Sequence, residues 1–571
     1  MVRRRRTWRS WVLLTSLVVG VVVLPQAGAA AERSSAPAAS TPAFAGDAIS
    51  APRYGTAVAF DVSPTMRSLA ADPSAQSGPT SVVAERGPAP TSTSFTGDGA
   101  LQRTAGVGTR AINDPILTFE GLGNDDNDAR VVPPDPIGDV GPNHYVEMVN
   151  LVWGVWDKAG NMLLGPLRLG TLWAGFGVSD CRSRSGDPVV LHDQLADRWI
   201  LTQFTTAGPT FYNCVAISTT PDPTGSYYRY AFSTGPNFPD YPKYGVWPDA
   251  YFVSTREFAP DDSFAGVGAY ALERDAMLAG DPAARYVSYV VEPADKPYLP
   301  GDGLLPSDLD GDRLPPTDSP NFFVGTQDDQ GPYGAPFDAI NMWEFEVDWT
   351  TPPTSRFERT AQLPVKEFDS NFSCRHTPET ARACIRQRGT DQRIDVLSYR
   401  QRPTWRLAYR NFGDHEALVT NQSVETRTTI AGVRWYEIRS PGHNPVVYQQ
   451  GTYSPDDGIS RWMGSAAQDK FGNLALGYSV SSEFIYPGIR YTGRLAGDVL
   501  NRMTQGEGVI VNGGGAQLGA TRWGDYTSLN VDPTDDCTFW YVNEYYPRSS
   551  NVRWHTRIGV FQLPGCGANQ P

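Results

Sequence analysis

The sequence is short of charge, of histidine and of long apolar runs. Only 19% of its 571 residues are charged, His numbers 6, and Lys plus Arg total 48 against 62 Asp plus Glu, a formal net charge of -14. No basic stripe follows the first nine residues, which argues against nucleic-acid binding. No GxSxG elbow, HExxH helix, GxxxxGK[ST] loop or strand-borne GxGxxG occurs, so serine-hydrolase, zinc-protease, P-loop and dinucleotide chemistries of those types find no support. Beyond residue 24 no uninterrupted apolar segment is long enough to span a bilayer.

The one marked apolar run, Trp11 to Leu24, follows Arg3, Arg4, Arg5, Arg6 and Arg9 and precedes the small-x-small site Ala27-Gly28-Ala29. That is the pattern of an export signal, residues 1–29, and the mature chain is expected to be extracellular, without membrane insertion, and monomeric. Cys181, Cys214, Cys374, Cys384, Cys537 and Cys566 form no CxxC knuckle and suit an oxidising compartment. Three disulfides are expected, with sequential pairing chosen among fifteen connectivities.

What is abundant is Gly (56), Pro (47) and aromatic residues (11%), a mixture of turns and strands. Residues 30–112 are rich in Ala, Ser, Thr, Pro and Gly and read as a low-complexity flexible leader or pro-segment, although TAVAFDVSPTMRSL, residues 56–69, alternates like a strand that docks on the main body. From 113 to 567 the chain repeats short hairpins, as in YGVWPDAYFVS, RWMGSAAQD and RWGDYTSLNVD. Unit starts near Asp139, Asp187, Trp247, Asn321, Glu416, Trp462 and Trp523 give seven units of about 65 residues, longer than a compact WD40 blade. The expected fold is all-β, a seven-bladed β-propeller, with six blades or two stacked sandwiches as alternatives. Helix is expected only at 273–278 and 379–387, and 568–571 form a tail.

Innermost strands of a propeller start beside one axis, so residues there converge although distant in sequence. Asp187, Asp249, Glu416 and Asp525 are candidate catalytic carboxylates, one to protonate a leaving oxygen and another to act as base or nucleophile. Arg461, Arg522 and His415 are candidates for orienting a sugar, and Trp247, Trp462 and Trp523 for stacking on it. Each also has a structural reading, in which acids bond turn backbone and tryptophans pack between blades. The alternating carboxylates Asp308, Asp310 and Asp312 around Gly311 suit a hard cation such as Ca²⁺, against a solvated acidic turn.

The stretches PPDPIGDVGPNHYVEMVN, residues 133–150, and RWGDYTSLNVDPTDDCTFWYVNEYY, residues 522–546, resemble secreted bacterial propellers of the sialidase type. The resemblance implies the fold, and makes Arg461 and Arg522 counterparts of two arginines in the sialidase triad; the SxDxGxTW Asp box is absent. The resulting expectation is a secreted hydrolase acting on a polysaccharide or glycoconjugate. The alternatives are a non-catalytic propeller that binds glycan or a cell-surface protein, and a lyase that works by β-elimination.

Overall fold

The computed structural model describes residues 47–71, 95–106, 112–127, 130–183, 185–373, 383–396 and 401–566. The expected export signal and the 568–571 tail lie outside them. The described chain is overwhelmingly strand, as its Gly, Pro and β-branched content requires.

Four-stranded antiparallel sheets follow one another along the chain. The first is Ile137–Val140, His144–Val149, Val152–Asp157 and Met162–Arg168, each strand pairing with the next. The innermost strands Ile137–Val140, Val189–Asp193, Phe238–Val246, Leu305–Asp310, Thr404–Asn411, Ser460–Gln468 and Ser528–Val531 lie side by side in that order, and the last returns to the first. The architecture is a β-propeller, and no stacked sandwich is present among the described residues. Leu305–Asp310 and Thr404–Asn411 pair in parallel and so merge two sheets into one of nine strands. The ring is closed by Leu117–Gly123, which pairs antiparallel with His555–Gln562 so that the first and last strands of the propeller share one sheet.

Most tryptophans sit in the layers between sheets, where their large apolar area is removed from water. Trp153 and Trp199 belong to one cluster, Trp247 and Trp343 to a second, and Trp462, Trp523, Trp540 and Trp554 to a third. Cys181–Cys214 and Cys537–Cys566 are disulfides, as the sequential pairing anticipates. Cys384 is also disulfide-bonded, whereas Cys374 lies outside the described residues. The helix expected at 273–278 forms as Arg274–Ala279 and ends at Gly280 with φ 69°. The one expected at 379–387 does not: Ala383–Gln387 is a strand paired with Thr390–Asp395.

The leader is more ordered than its composition suggests. Arg53–Thr56 pairs with Arg285–Val291 and Ala59–Val62 with Tyr227–Gly235, each adding an outer strand to a sheet. The alternation then stops at Pro64, and Thr65 caps a short helix, Met66–Ala70, by accepting from the Ser68 N–H. Leu101–Gln102 extends a third sheet through Val446–Tyr453. Three leader aspartates are seated on buried arginines of the body. Asp47 bonds Arg359 at 2.7 Å, Asp61 bonds Arg229 at 2.6 Å, and Asp98 bonds Arg434 at 3.2 Å. The local pattern hid these contacts because each aspartate is isolated and its partner lies hundreds of residues away.

Removing Asp98 leaves the Arg434 guanidinium without its counter-ion in a place with no solvent access. Asp98→Ala is therefore expected to lower unfolding stability by about 3–5 kcal/mol in urea titrations. A loss within about 1 kcal/mol, the value of a surface pair, would contradict an anchoring role.

Candidate functional site

The inner strands begin at one end of the axis, and the residues leading into them are backbone-strained in a repeating way. Asp135, Asp187, Tyr241 and Gln401 have φ of 48°, 42°, 53° and 47°. Pro follows the first three directly, in PDPIG, GDPVV and DYPKY, and follows Gln401 after one residue, in QRPTW. The proline fixes the strand start while the residue before it turns the chain inward, a left-handed conformation Asp tolerates better than Tyr. This recurring signal was available in the sequence, but the hairpin alignment was keyed on Trp and placed several unit starts elsewhere.

These turns carry a polar cluster. The Asp525 N–H donates to Asp135 Oδ1 at 2.6 Å, and Asn150 Nδ2 donates to Asp135 Oδ2 at 2.7 Å. Asn150 Oδ1 in turn accepts from the Asp187 N–H at 2.9 Å, and Asp187 Oδ2 accepts from the Tyr241 N–H at 3.2 Å. Arg522 forms an ion pair with Asp525. The Arg402 guanidinium lies 3.8 Å from the centre of the Tyr241 ring, and the Lys243 ammonium 3.3 Å from that ring and 4.1 Å from Tyr526. Asp135, Asp187, Lys243 and Arg402 are buried, whereas the Arg522 and Asp525 side chains keep 16% and 13% exposure, so the cluster meets solvent through them.

Electrostatics divide the carboxylates. Burial, with Asp135, Asp240 and Asp525 nearby, pushes Asp187 well above the usual range and outweighs the opposing Lys243. Burial and the Asp525 charge push Asp135 up to about 7. Burial acts on Asp525 in the same direction, but Arg522 and Arg402 override it and hold that carboxyl low. Burial brings the Lys243 ammonium down to about 7. One site thus holds an ionised carboxylate beside two that favour the protonated form.

Of the expected catalytic residues, Asp187, Asp525 and the orienting Arg522 come together here; Asp249 and Glu416 do not. Asp249 follows Phe238–Val246, at the end of that strand remote from Tyr241, and lines an open acidic cleft with Asp318, Glu346 and Asp348. Glu416 starts a second strand, opposite Asn411 at the far end of its inner strand, and accepts from the Tyr409 hydroxyl at 2.5 Å. His415 stacks on Phe412 and bonds Asp414 beside it. Asp249 and Glu416 each sit at the turn between a first and a second strand, at the opposite end from the inner strand's start, and His415 sits beside Glu416.

Arg461 does not orient a ligand: it donates to Asp457 at 2.7 Å and Glu507 at 2.8 Å and is 1% exposed. Trp247, Trp462 and Trp523 are equally enclosed and offer no face to a sugar. Trp247 sits edge-on to Tyr409 at 4.7 Å, and Trp462 packs on Trp523 at 5.5 Å.

The expected calcium loop is also differently used. Asp308 and Asp310 lie in a strand, not in a loop, and each accepts from the buried Arg406 at 2.6 Å, while Asp312 is exposed. Arg406 supplies the positive charge a cation would bring. Among the described residues, Asp535 with Cys537 and Cys566, and Asp328 with Asp329 and Asp338, are the groups whose ligand atoms lie close enough for a metal. The two cysteines are bonded to each other. Asp328 and Asp338 accept from Ser370, Asp329 and Phe368 N–H groups at 2.6–2.8 Å.

No family model and no curated protein matches the sequence. Among solved structures, an α-L-arabinanase from Penicillium chrysogenum complexed with arabinobiose is 9% identical, covers 81% of this chain and 99% of its own, and has a TM-score of 0.32. An α-L-arabinofuranosidase from Fusarium graminearum is 12% identical over 67% of this chain and 93% of its own, TM-score 0.35. A Hadza microbial sialidase is 11% identical over 74% of each chain, TM-score 0.31.

Two outcomes test the charges assigned here. Asp187 has a raised pKa in the folded state, so it binds its proton more tightly folded than unfolded. The resulting stability is full below the unfolded value near 4 and is lost as pH rises toward the folded value. Asp187→Asn mimics the protonated side chain, so its melting temperature is expected to gain on wild type as pH rises from about 5 to 9; a constant difference would refute the shift. With Arg406 as counter-ion, EDTA is expected to leave the melting temperature unchanged, and a fall would restore a cation to the Asp308–Asp312 region.

Proposed function

We propose that this protein is a secreted, seven-bladed propeller that hydrolyses a glycosidic bond in a polysaccharide or glycoconjugate at the axial cluster. The closed order of inner strands supports the blade count, and the two disulfides support an extracellular location. The observation that carries the catalytic reading is the pair of carboxylates gathered in one cluster in opposed environments, Asp187 buried on the Tyr241 N–H and pushed up, Asp525 paired with Arg522 and held down. Environments that push two acids apart are how one site supplies both an acid and a base at neutral pH.

In this reading the Asp187 O–H bond breaks as its proton passes to the glycosidic oxygen and the C–O bond to the leaving group opens. Asp525 acts as base, taking a proton from the attacking water, or as nucleophile at the anomeric carbon. Arg522 keeps Asp525 ionised and fixes its position. Asp135, with both oxygens already accepting hydrogen bonds, orients the Asp525 backbone.

A second reading, a non-catalytic propeller that binds glycan or protein at this face, is favoured by one fact: Asp135 and Asp187 accept N–H groups from other blades and so have a structural task already. Screening the mature protein against diverse polysaccharides, with reducing-end and unsaturated-product readouts, separates these cases. Turnover with new reducing ends is expected, and Asp525→Asn should lower kcat by about 10²–10⁴-fold while calorimetric affinity for the substrate stays within about threefold. Unsaturated products would make it a lyase; binding without turnover would establish the second reading.

A further inference from the structure

Lys243 is the buried charge at the axial cluster that the acid–base reading leaves without a task. It is wholly enclosed, and among the described residues its three N–H donors have one hydrogen-bond acceptor, the Pro242 carbonyl at 2.9 Å. Its other contacts are the ring faces of Tyr241, from its own strand, and Tyr526, which leads into Ser528–Val531. In the ring of inner strands, Phe238–Val246 and Ser528–Val531 are separated by Val189–Asp193 and Ile137–Val140, so the Lys243–Tyr526 contact spans the axis. Tyr241 and Tyr526 also meet directly at 6.1 Å, edge to face. The Tyr241 hydroxyl points to the Asp525 carbonyl at 3.4 Å, and the Tyr526 hydroxyl donates to the Pro188 carbonyl, next to Asp187, at 3.0 Å. A cation held on two tyrosine faces thus occupies the axis between the peptide of Asp525 and that of Asp187.

We propose that Lys243 is a positioning residue of this site: its ammonium is the counter-charge beside which Asp187 releases and regains its proton, and its seat on Tyr241 and Tyr526 sets the placement of Asp187 relative to Asp525. The inference rests on the hydrolytic reading for its consequence in catalysis, but not for its electrostatic content. When Asp187 gives up its proton to a leaving oxygen it becomes a buried anion, and a cation beside it is what makes that charge tolerable. The other charged groups facing the pair are Asp135, Asp240, Asp525, Arg402, Arg522 and Arg256, with the phenols of Tyr241 and Tyr526. Arg256 is engaged by Asp240 and Asp302, Arg522 by Asp525, and Arg402 lies over the Tyr241 ring, while Lys243 is the cation that opposes the rise at Asp187.

The test follows the Asp187 carboxyl by ¹³C NMR in full-length protein labelled at aspartate Cγ, with Asp187→Asn to assign the signal. Lys243→Met keeps length and apolar bulk but removes charge, and the Asp187 titration midpoint is expected to rise by about 1 pH unit or more. Lys243→Arg keeps a charge and should hold the midpoint within about half of that rise. An unmoved midpoint in Lys243→Met, or equal movement in both variants, would overturn the proposal. Should Lys243→Met not fold, titration of the wild-type Lys243 Cε signal decides: its midpoint is expected to fall in Asp187→Asn, and no change would overturn the coupling. Where turnover is found, Lys243→Met should lower kcat and shift the pH profile with KM nearly unchanged, and Lys243→Arg should restore the profile. Absence of turnover in wild type would sink the hydrolase reading alone, since the NMR titration does not depend on it.

Discussion

An inner edge that ordinary strand pairing completes only between Leu305–Asp310 and Thr404–Asn411, among the described residues, governs this molecule. Adjacent blades present their innermost strands to each other around an axis, and the N–H groups along that edge need acceptors the ladder does not provide. Side-chain oxygens supply them. Asp139 accepts from the His192 N–H at 2.7 Å, Asp308 from Val246 at 3.0 Å, Ser465 from Leu529 at 3.0 Å, and Ser528 from Gly138 at 2.8 Å. Each of these bonds joins one blade to the next, so the same atoms that satisfy the backbone fix the angle between sheets. Where the approach is closest, at Gly245, any side chain would strike the Ser307 carbonyl.

That constraint explains why acids gather between the blades and why most of them are already engaged by backbone N–H groups. Burial pushes Asp139 up to about 8, against the opposing His192 N–H bond and the Arg406 charge, and pushes Glu147 up to about 8 where it accepts from Thr556 and the Leu122 N–H. Such carboxyls are components of the hydrogen-bond framework. Part of the acidic excess in the composition is therefore interior architecture, and the formal charge of -14 overstates the negative charge the folded chain carries near neutral pH. Asp525 is different in kind. Its own N–H is given to Asp135, its carboxylate is held by Arg522, and it keeps access to solvent.

The fold was largely legible because periodicity and turn residues are local properties. Alternating strands and the even set of cysteines lie within a few tens of residues of their partners, and they led to the propeller and to the Cys181–Cys214 and Cys537–Cys566 pairs. The site was legible only where a residue's own motif sits at the start of an inner strand, as in GDPVV for Asp187 and RWGDY for Asp525. Asp249 failed because a Trp can precede either the first or the second strand of a blade, and Glu416 and His415 because a hairpin's own sequence does not say at which end of the inner strand its turn lies. Lys243, Tyr241 and Arg402 were missed for a different reason: their meaning lies in contacts across the axis, between segments as far apart as the 284 positions from Tyr241 to Asp525.

The leader follows from the same edge problem seen from outside. Outer strands Tyr227–Gly235, Arg285–Val291 and Val446–Tyr453 would expose unpaired backbone, and the leader covers all three with short strands. Low-complexity sequence is suited to this work, since β-augmentation is driven by main-chain hydrogen bonds and demands little of the side chains. What it does demand is register, and the isolated aspartates provide it: Asp61 meets Arg229 directly across the pair it forms with Tyr227–Gly235, and Asp47 and Asp98 reach Arg359 and Arg434 in other sheets. A segment whose pattern encodes almost no fold of its own is thereby held on the propeller by three ion pairs with buried arginines, and at Asp61 a one-residue slip would take the carboxylate away from Arg229.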